Sequence, residues 1–213
     1  MVVLGLTGSI GMGKSTAARM FRYLGLPVHD ADAAVHRLLG RGGAAVAEVE
    51  AAFPGVTQAG AVDRKGLGER VFDDPAALRR LESILHPRVR REARRFLRLQ
   101  RRYRRPVVVL DIPLLFETGG ERLCDYVVVV TAPRFLQEIR VLRRPGMTRA
   151  RLARIRAQQM PDAEKRRRAD FLVPTGLGKG DTLRRLARVV RLATRHPPRR
   201  WRPRQPRPTR TER

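Results

Sequence analysis

Short apolar runs alternate along the chain with longer stretches in which apolar residues recur every three or four positions. The short runs cover Val2 to Thr7, Pro27 to Asp30, Pro106 to Ile112, Tyr126 to Thr131 and Phe171 to Pro174. Several are apolar at nearly every position, the pattern of strands covered by helices on both faces. The periodic stretches predict helices over Gly13 to Leu24, Ala31 to Leu39, Ala44 to Ala52, Leu67 to Phe72, Arg134 to Arg144, Arg149 to Gln159, Ala163 to Arg168 and Asp181 to Thr194. A further periodic run from Ala76 to Tyr103 contains Pro87, which has no amide hydrogen and is expected to break or kink it into two helices. Asp74-Pro75 and Thr148 read as helix N-caps. Strand runs that alternate with helices in this way predict an α/β fold on a parallel sheet.

The interval between the second and third strand runs, about residues 32 to 105, is far longer than one crossover needs, so it predicts a helical insertion. A second helical excursion lies between the fourth and fifth runs. From His196 the chain is mostly Pro and Arg, with Trp201 as its one aromatic residue. Such a segment buries too little to fold and is expected to be disordered. The reading is therefore one domain over residues 1–195 and an Arg/Pro-rich tail over 196–213.

Composition narrows this further. No apolar run approaches the roughly 20 residues that span a bilayer, and the N-terminus enters the first strand with no basic leader. Both point to a cytoplasmic protein without membrane association. Cys124 is the single cysteine, which excludes an intrachain disulfide and a thiolate metal cluster; beside an apolar strand it reads as a small buried hydrophobe.

Chemistry enters with Gly8-Ser9-Ile10-Gly11-Met12-Gly13-Lys14-Ser15. It matches G-x-x-x-x-G-K-[ST] in full, between a predicted strand and a predicted helix, the context of a nucleotide-binding phosphate loop. Gly11, Met12 and Gly13 let successive N–H groups converge on an anion, backed by the helix N-terminus. Lys14 can reach the β- and γ-phosphates of ATP, and Ser15 can offer its hydroxyl to Mg²⁺. Thr16 is either a second hydroxyl near the α-phosphate or an ordinary first-turn residue. The motif implies a P-loop NTPase, and the chain length with its insertion favours a small kinase.

The net charge of +26 invites a nucleic-acid reading. The arginines, however, are spread over most helices, and the tail from Arg195 holds eight of them against Glu212 alone. A kinase with two polyanionic substrates also needs positive charge. Nonspecific nucleic-acid contact is expected of the tail only, and the pattern carries no sign of oligomeric state.

Further blocks occur in order: Leu6-Thr7-Gly8, His29-Asp30-Ala31-Asp32, Asp63-Arg64, Val71-Phe72-Asp73-Asp74-Pro75, Leu81-Glu82-Ser83-Ile84-Leu85-His86-Pro87, Asp111-Ile112-Pro113-Leu114-Leu115-Phe116-Glu117 and Ala169-Asp170-Phe171. Over about residues 1 to 195 they resemble the dephospho-CoA kinase family. The resemblance implies a three-layer P-loop NTPase core with a five-stranded parallel sheet. It also implies a helical acceptor-binding insertion at about 33–105 and a helical lid at about 134–168. The activity implied is transfer of the γ-phosphate of Mg²⁺-ATP to the ribose 3′-hydroxyl of dephospho-CoA. Another small-molecule kinase, or a basic nucleic-acid-associated protein that keeps the loop, are the rival readings.

By the same resemblance Asp32 contacts the acceptor hydroxyl, where a carboxylate can orient it and take its proton; a solvated first-turn acid is the alternative. Asp30 reads as an N-cap or structural partner. Asp111 is either the acid that holds Mg²⁺ through water or a simple strand-end acid. Arg140 and Arg144, four apart on one helix face, match lid arginines that close on the ATP phosphates, with Arg143 the neighbour that could be confused with them. Gln159 and Lys165 match lid positions, and His86-Pro87 reads as a structural corner or an acceptor contact. One stretch departs from the family: Pro174-Thr175-Gly176 stands where an asparagine-containing turn near the adenine is usual, and it is one residue shorter.

Overall fold

The structure is a computed structural model that describes residues 1–72 and 74–196. Asp73 and residues 197–213, Trp201 and nearly all of the expected tail among them, lie outside the described residues. In chain order the elements are β1 (Val2–Thr7), α1 (Lys14–Tyr23), β2 (Val28–Asp30), α2 (Ala31–Leu39), α3 (Val46–Ala52), β3 (Thr57–Gln58), β4 (Ala61–Val62), α4 (Arg64–Phe72), α5 (Pro75–Arg102), β5 (Val107–Asp111), β6 (Tyr126–Thr131), α6 (Arg134–Leu142), α7 (Arg149–Gln158), α8 (Asp162–Arg168), β7 (Phe171–Pro174) and α9 (Lys179–Arg195). The described residues form two compact units: residues 1–28 with 104–196, and residues 29–103.

The first unit is built on a sheet of order β2-β5-β1-β6-β7. β5, β1, β6 and β7 pair in parallel, with Leu6 opposite Asp111 and Thr7 opposite Val129. Every residue of β1 and β5 is buried, as runs without alternation predict. Val2, Leu4 and Leu6 pack on Ala17, Ala18 and Phe21 of α1 and on Leu186, Val189 and Ala193 of α9. The opposite face carries Cys124, buried as expected, whose Sγ would lie 2.6 Å from a Cβ on Gly5. Only glycine fits there. The strands run to one edge of the sheet, where β1 hands over to the loop before α1.

The second unit is a helical cluster with the short antiparallel hairpin β3–β4, which hydropathy alone did not reveal. Its core joins Leu38, Val49, Phe53, Val62, Leu67, Leu81, Ile84 and Leu85. Here Pro87 overturns an expectation. α5 continues from Pro75 to Arg102 with Pro87 inside it, so the run is one helix and His86-Pro87 is not a corner. Interior proline costs about 3 kcal/mol. The apolar stripe Leu81, Ile84, Leu85, Val89 continues across it, and each buried aliphatic returns roughly 1.5–3 kcal/mol. The Arg88 guanidinium also donates to the Ile84 carbonyl at 2.8 Å and the Ala44 carbonyl at 3.2 Å, and pairs with Glu48.

His29, buried at 6% exposure, stacks on Phe96 with ring centroids 5.4 Å apart, and its Nε2 has no hydrogen-bond partner. Burial lowers its pKa below 6.5; the nearby Arg37 adds to this, and Glu92 and Asp30 oppose it. The unfolded chain therefore binds a proton that the folded one refuses. The stability linked to His29 is fully present above pH 6.5 and is lost as pH falls below it, with a slope of at most about 1.4 kcal/mol per pH unit. Urea unfolding from pH 7.5 to 5.5 should show this loss, and His29→Leu should flatten it.

Candidate active site

The loop between β1 and α1 takes its shape from glycine. Gly11 (φ 76°) and Gly13 (φ 91°) are left-handed, a region that side chains disfavour. A Cβ on Gly11 would lie 2.6 Å from Val141 Cγ2, and one on Gly8 2.8 Å from the Val130 carbonyl. The Met12 amide closes a tight turn on the Ser9 carbonyl at 3.1 Å. α1 starts at Lys14 with Gly13 as its N-cap, no side-chain cap and no acid in the first turn. Its first amides thus keep their donor capacity for an anion.

Lys14 Nζ lies 2.9 Å from Asp111 Oδ1, at side-chain exposures of 14% and 3%. The pairing follows from the sheet: Asp111 ends β5 beside Leu6, two residues before the motif's first glycine. Thr7 Oγ1 donates to the Pro113 carbonyl at 2.8 Å, tying the end of β1 to the loop after β5. Ser15 is exposed and Thr16 half-buried on the first turn of α1. Two of the predicted site residues, Lys14 and Asp111, are thereby brought together directly.

The outer side of the loop is held by residues from α6, α7 and the turn after β7. Gln137 Nε2 donates to the Ile10 carbonyl at 2.7 Å, and the Ile10 amide donates to Gln159 Oε1 at 3.1 Å. Arg156 donates to Gln137 Oε1 at 2.6 and 3.1 Å. The same guanidinium and then Arg134 hold the Glu138 carboxyl below its ordinary pKa. Arg140 donates to the Gly11 carbonyl at 3.4 Å, to Thr175 Oγ1 at 3.0 Å and to the Thr175 carbonyl at 2.8 Å. Arg143 and Arg144 are exposed at the end of α6. Lys165 is fully buried, 2.9 Å from Glu117 Oε1.

Gln137 and Arg156 were missed by sequence reasoning, and Thr175 was noted only as part of the departing Pro174-Thr175-Gly176 turn, without this role. None belongs to the loop motif, and the one signal for Gln137 is that it is a polar residue on the inward stripe of α6, at 4% exposure.

In the second unit Asp30 is the N-cap of α2, its Oδ1 accepting from the Ala33 amide at 3.0 Å. Asp32 is exposed on the first turn of α2, and His86 is half-buried within α5. Among the described residues no three His, Cys, Asp or Glu side chains cluster as metal ligands. No described helix is long and apolar enough to cross a membrane.

Comparison with known proteins shows the family and the fold. The sequence model of the family described as dephospho-CoA kinase matches residues 2–177. A dephospho-CoA kinase of Rhodospirillum rubrum is 63% identical over 202 residues, 94% of this chain and 95% of its own length. One from Paramagnetospirillum magneticum is 67% identical over 166 residues, 78% of each chain. Among solved structures, a Thermus thermophilus protein superposes with a TM-score of 0.78 at 37% identity, covering 90% of this chain and 96% of its own. The dephospho-CoA kinase from Campylobacter jejuni gives 0.61 at 25% identity, over 89% and 96%. The shikimate kinase of Acinetobacter baumannii, at 17% identity and a TM-score of 0.50 over 93% and 96%, shares the fold. With a family model that spans most of the chain and relatives this similar over nearly their whole length, the chain belongs to the dephospho-CoA kinase family.

Proposed function

We propose that this protein transfers the γ-phosphate of ATP to the ribose 3′-hydroxyl of dephospho-CoA, giving coenzyme A, and that it acts in the cytoplasm. The observation that carries the reading is the phosphate loop with Lys14 fixed on Asp111, in a chain of this family. In the proposed reaction the acceptor oxygen bonds to the γ-phosphorus while the bond to the β–γ bridging oxygen breaks. ADP leaves with that electron pair, and the hydroxyl proton passes to the Asp32 carboxylate. The amides of Gly11, Gly13, Lys14, Ser15 and Thr16 bind the phosphate oxygens, Met12 contributes through the turn that its amide closes on Ser9, and Lys14 stabilises charge as the transferred group loosens. Arg140 on α6 and Arg144, two residues past its end, supply further positive charge. The helical unit of residues 29–103 would bind the acceptor, and α6 to α8 would form the lid.

The donor set fits Mg²⁺. Asp111 presents a carboxylate at 3% exposure and Ser15 a hydroxyl on the first turn of α1. A hard ion of this kind takes few protein ligands and completes its shell with water and substrate phosphates. Bound there, it would neutralise charge on the β- and γ-phosphates.

The reading is tested by ATP turnover with dephospho-CoA beside AMP and shikimate; phosphorylation of another acceptor with none of dephospho-CoA overturns it. Lys14→Ala should lower turnover by at least about 10²–10³-fold, as expected on losing a charge-stabilising donor. Its thermal unfolding should move to lower temperature, because Asp111 loses a buried ion-pair partner.

Asp32→Asn should slow transfer by roughly 10²–10⁴-fold with little change in ATP affinity, the range for loss of a general base. A loose transition state, with little proton transfer, would place the loss at the low end. Asp30→Asn keeps the cap acceptor and should retain activity. Activity lost at Asp30 and kept at Asp32 would move the role to the other carboxylate.

A further inference from the structure

A loop that gathers its amides around an anion turns its carbonyls outward. Here three successive carbonyls on that outer side each receive a side-chain donor. Ile10 takes Gln137 Nε2 at 2.7 Å, Gly11 takes Arg140 Nη1 at 3.4 Å, and Met12 takes Thr175 Oγ1 at 2.8 Å. We propose that Thr175 and Gln137 are positioning residues for phosphoryl transfer: they fix the carbonyl edge of the loop so that its amide edge is set to receive a triphosphate. The proposal rests on the ATP-dependent reading above.

Thr175 carries most of the argument. It is 8% exposed, and its hydroxyl has one proton to give. The Met12 carbonyl at 2.8 Å takes that proton in preference to the Thr131 carbonyl at 3.3 Å. The oxygen in turn accepts from Arg140 at 3.0 Å, so a cation polarises the hydroxyl that polarises the loop peptide. Hydrogen bonds in such a chain strengthen one another. The side chain also sits under the loop–helix junction: a Cβ on Gly13 would lie 3.0 Å from Thr175 Oγ1 and 3.3 Å from Thr175 Cγ2. Hydroxyl and methyl are both committed to the phosphate loop.

This gives the departure at Pro174-Thr175-Gly176 a physical sense. The side chain at 175 is bonded to the loop. A side chain at 176 would be tight against α6, since a Cβ on Gly176 would lie 3.1 Å from Pro133 and 3.2 Å from Leu136. Gln137 completes the device from α6, with its own acceptor oxygen held by two N–H groups of Arg156.

Thr175→Val keeps the shape and removes the donor; Thr175→Ser restores the donor and removes the methyl. Titration calorimetry with ATP on full-length protein should show Kd raised by about tenfold in Thr175→Val, the size of one hydrogen bond. KM for dephospho-CoA should change by less than about twofold, because the lost interaction is on the donor side. Thr175→Ser should recover most of the ATP affinity, and Gln137→Met should weaken ATP binding in the same sense. Thr175→Val binding ATP as tightly as wild type, or Thr175→Ser binding as weakly as Thr175→Val, overturns the proposal. Wild-type protein that fails to bind ATP at all would instead overturn the proposed function.

Discussion

Every peptide group carries its donor and its acceptor on opposite edges, so a loop cannot collect N–H groups on one side without presenting carbonyls on the other. Those carbonyls need partners wherever water is excluded, and an unmet buried acceptor costs about 1–3 kcal/mol. In this chain α6 and the turn after β7 pack on the outer side of the loop, so the donors must come from side chains. Gln137 and Arg140, three apart on α6, supply two of them, and Thr175 supplies the third. Gln137 then needs its own oxygen satisfied, which recruits Arg156 from α7, and Arg156 brings Glu138 with it. One geometric demand at the loop thus propagates through two helices.

The same demand changes the meaning of the charge. A surplus of arginine looks like a polyanion-binding surface when only its number is known. Within each unit many of these groups act as multidentate donors, because a planar guanidinium can reach several acceptors at fixed angles. Arg88 bridges two carbonyls and Glu48, and Arg140 bridges two carbonyls and a hydroxyl. Arg168 lies 4.4 Å over the Phe116 ring while pairing with Glu121 at 3.1 Å. Lysine, a compact charge on a flexible stem, could not replace them at those positions.

What the sequence made legible follows from how local each signal is. The apolar runs of β1, β5 and β6, the glycine spacing of the loop and the caps at Asp74 and Thr148 each depend on a few adjacent residues, and the structure has them as read. The Lys14–Asp111 pair was half legible: each residue stood out, but their contact depends on β1 lying beside β5. Pro87 misled because its local cost is certain while the compensating stripe on both sides is a tertiary fact. The β3–β4 hairpin, two residues per strand, is too short to show a period. Gln137 and Thr175 were hidden for another reason. Glutamine on an inward stripe and threonine after a strand have ordinary local explanations, and only the position of the loop carbonyls reveals their role.

Glu117 shows how far the constraint reaches. It closes the Pro113-to-Glu117 block, which contains no loop residue. Its Oε1 accepts from the Met160 amide at 2.8 Å and lies 2.9 Å from Nζ of the fully buried Lys165. The Lys165 contact is an ion pair by distance without hydrogen-bond geometry. Only the lysine end of this pair is buried, because Glu117 is an exposed residue, so removing Glu117 strands the Lys165 charge while removing Lys165 leaves Glu117 in reach of water. Its effect here is placement. Fixing Met160 fixes Gln159, whose side-chain oxygen takes the Ile10 amide at 3.1 Å. The carbonyl of the same residue receives Gln137, so the peptide groups on both sides of Ile10 are clamped from outside the loop. A carboxylate after β5 is thus linked to the phosphate loop through one peptide bond and one glutamine.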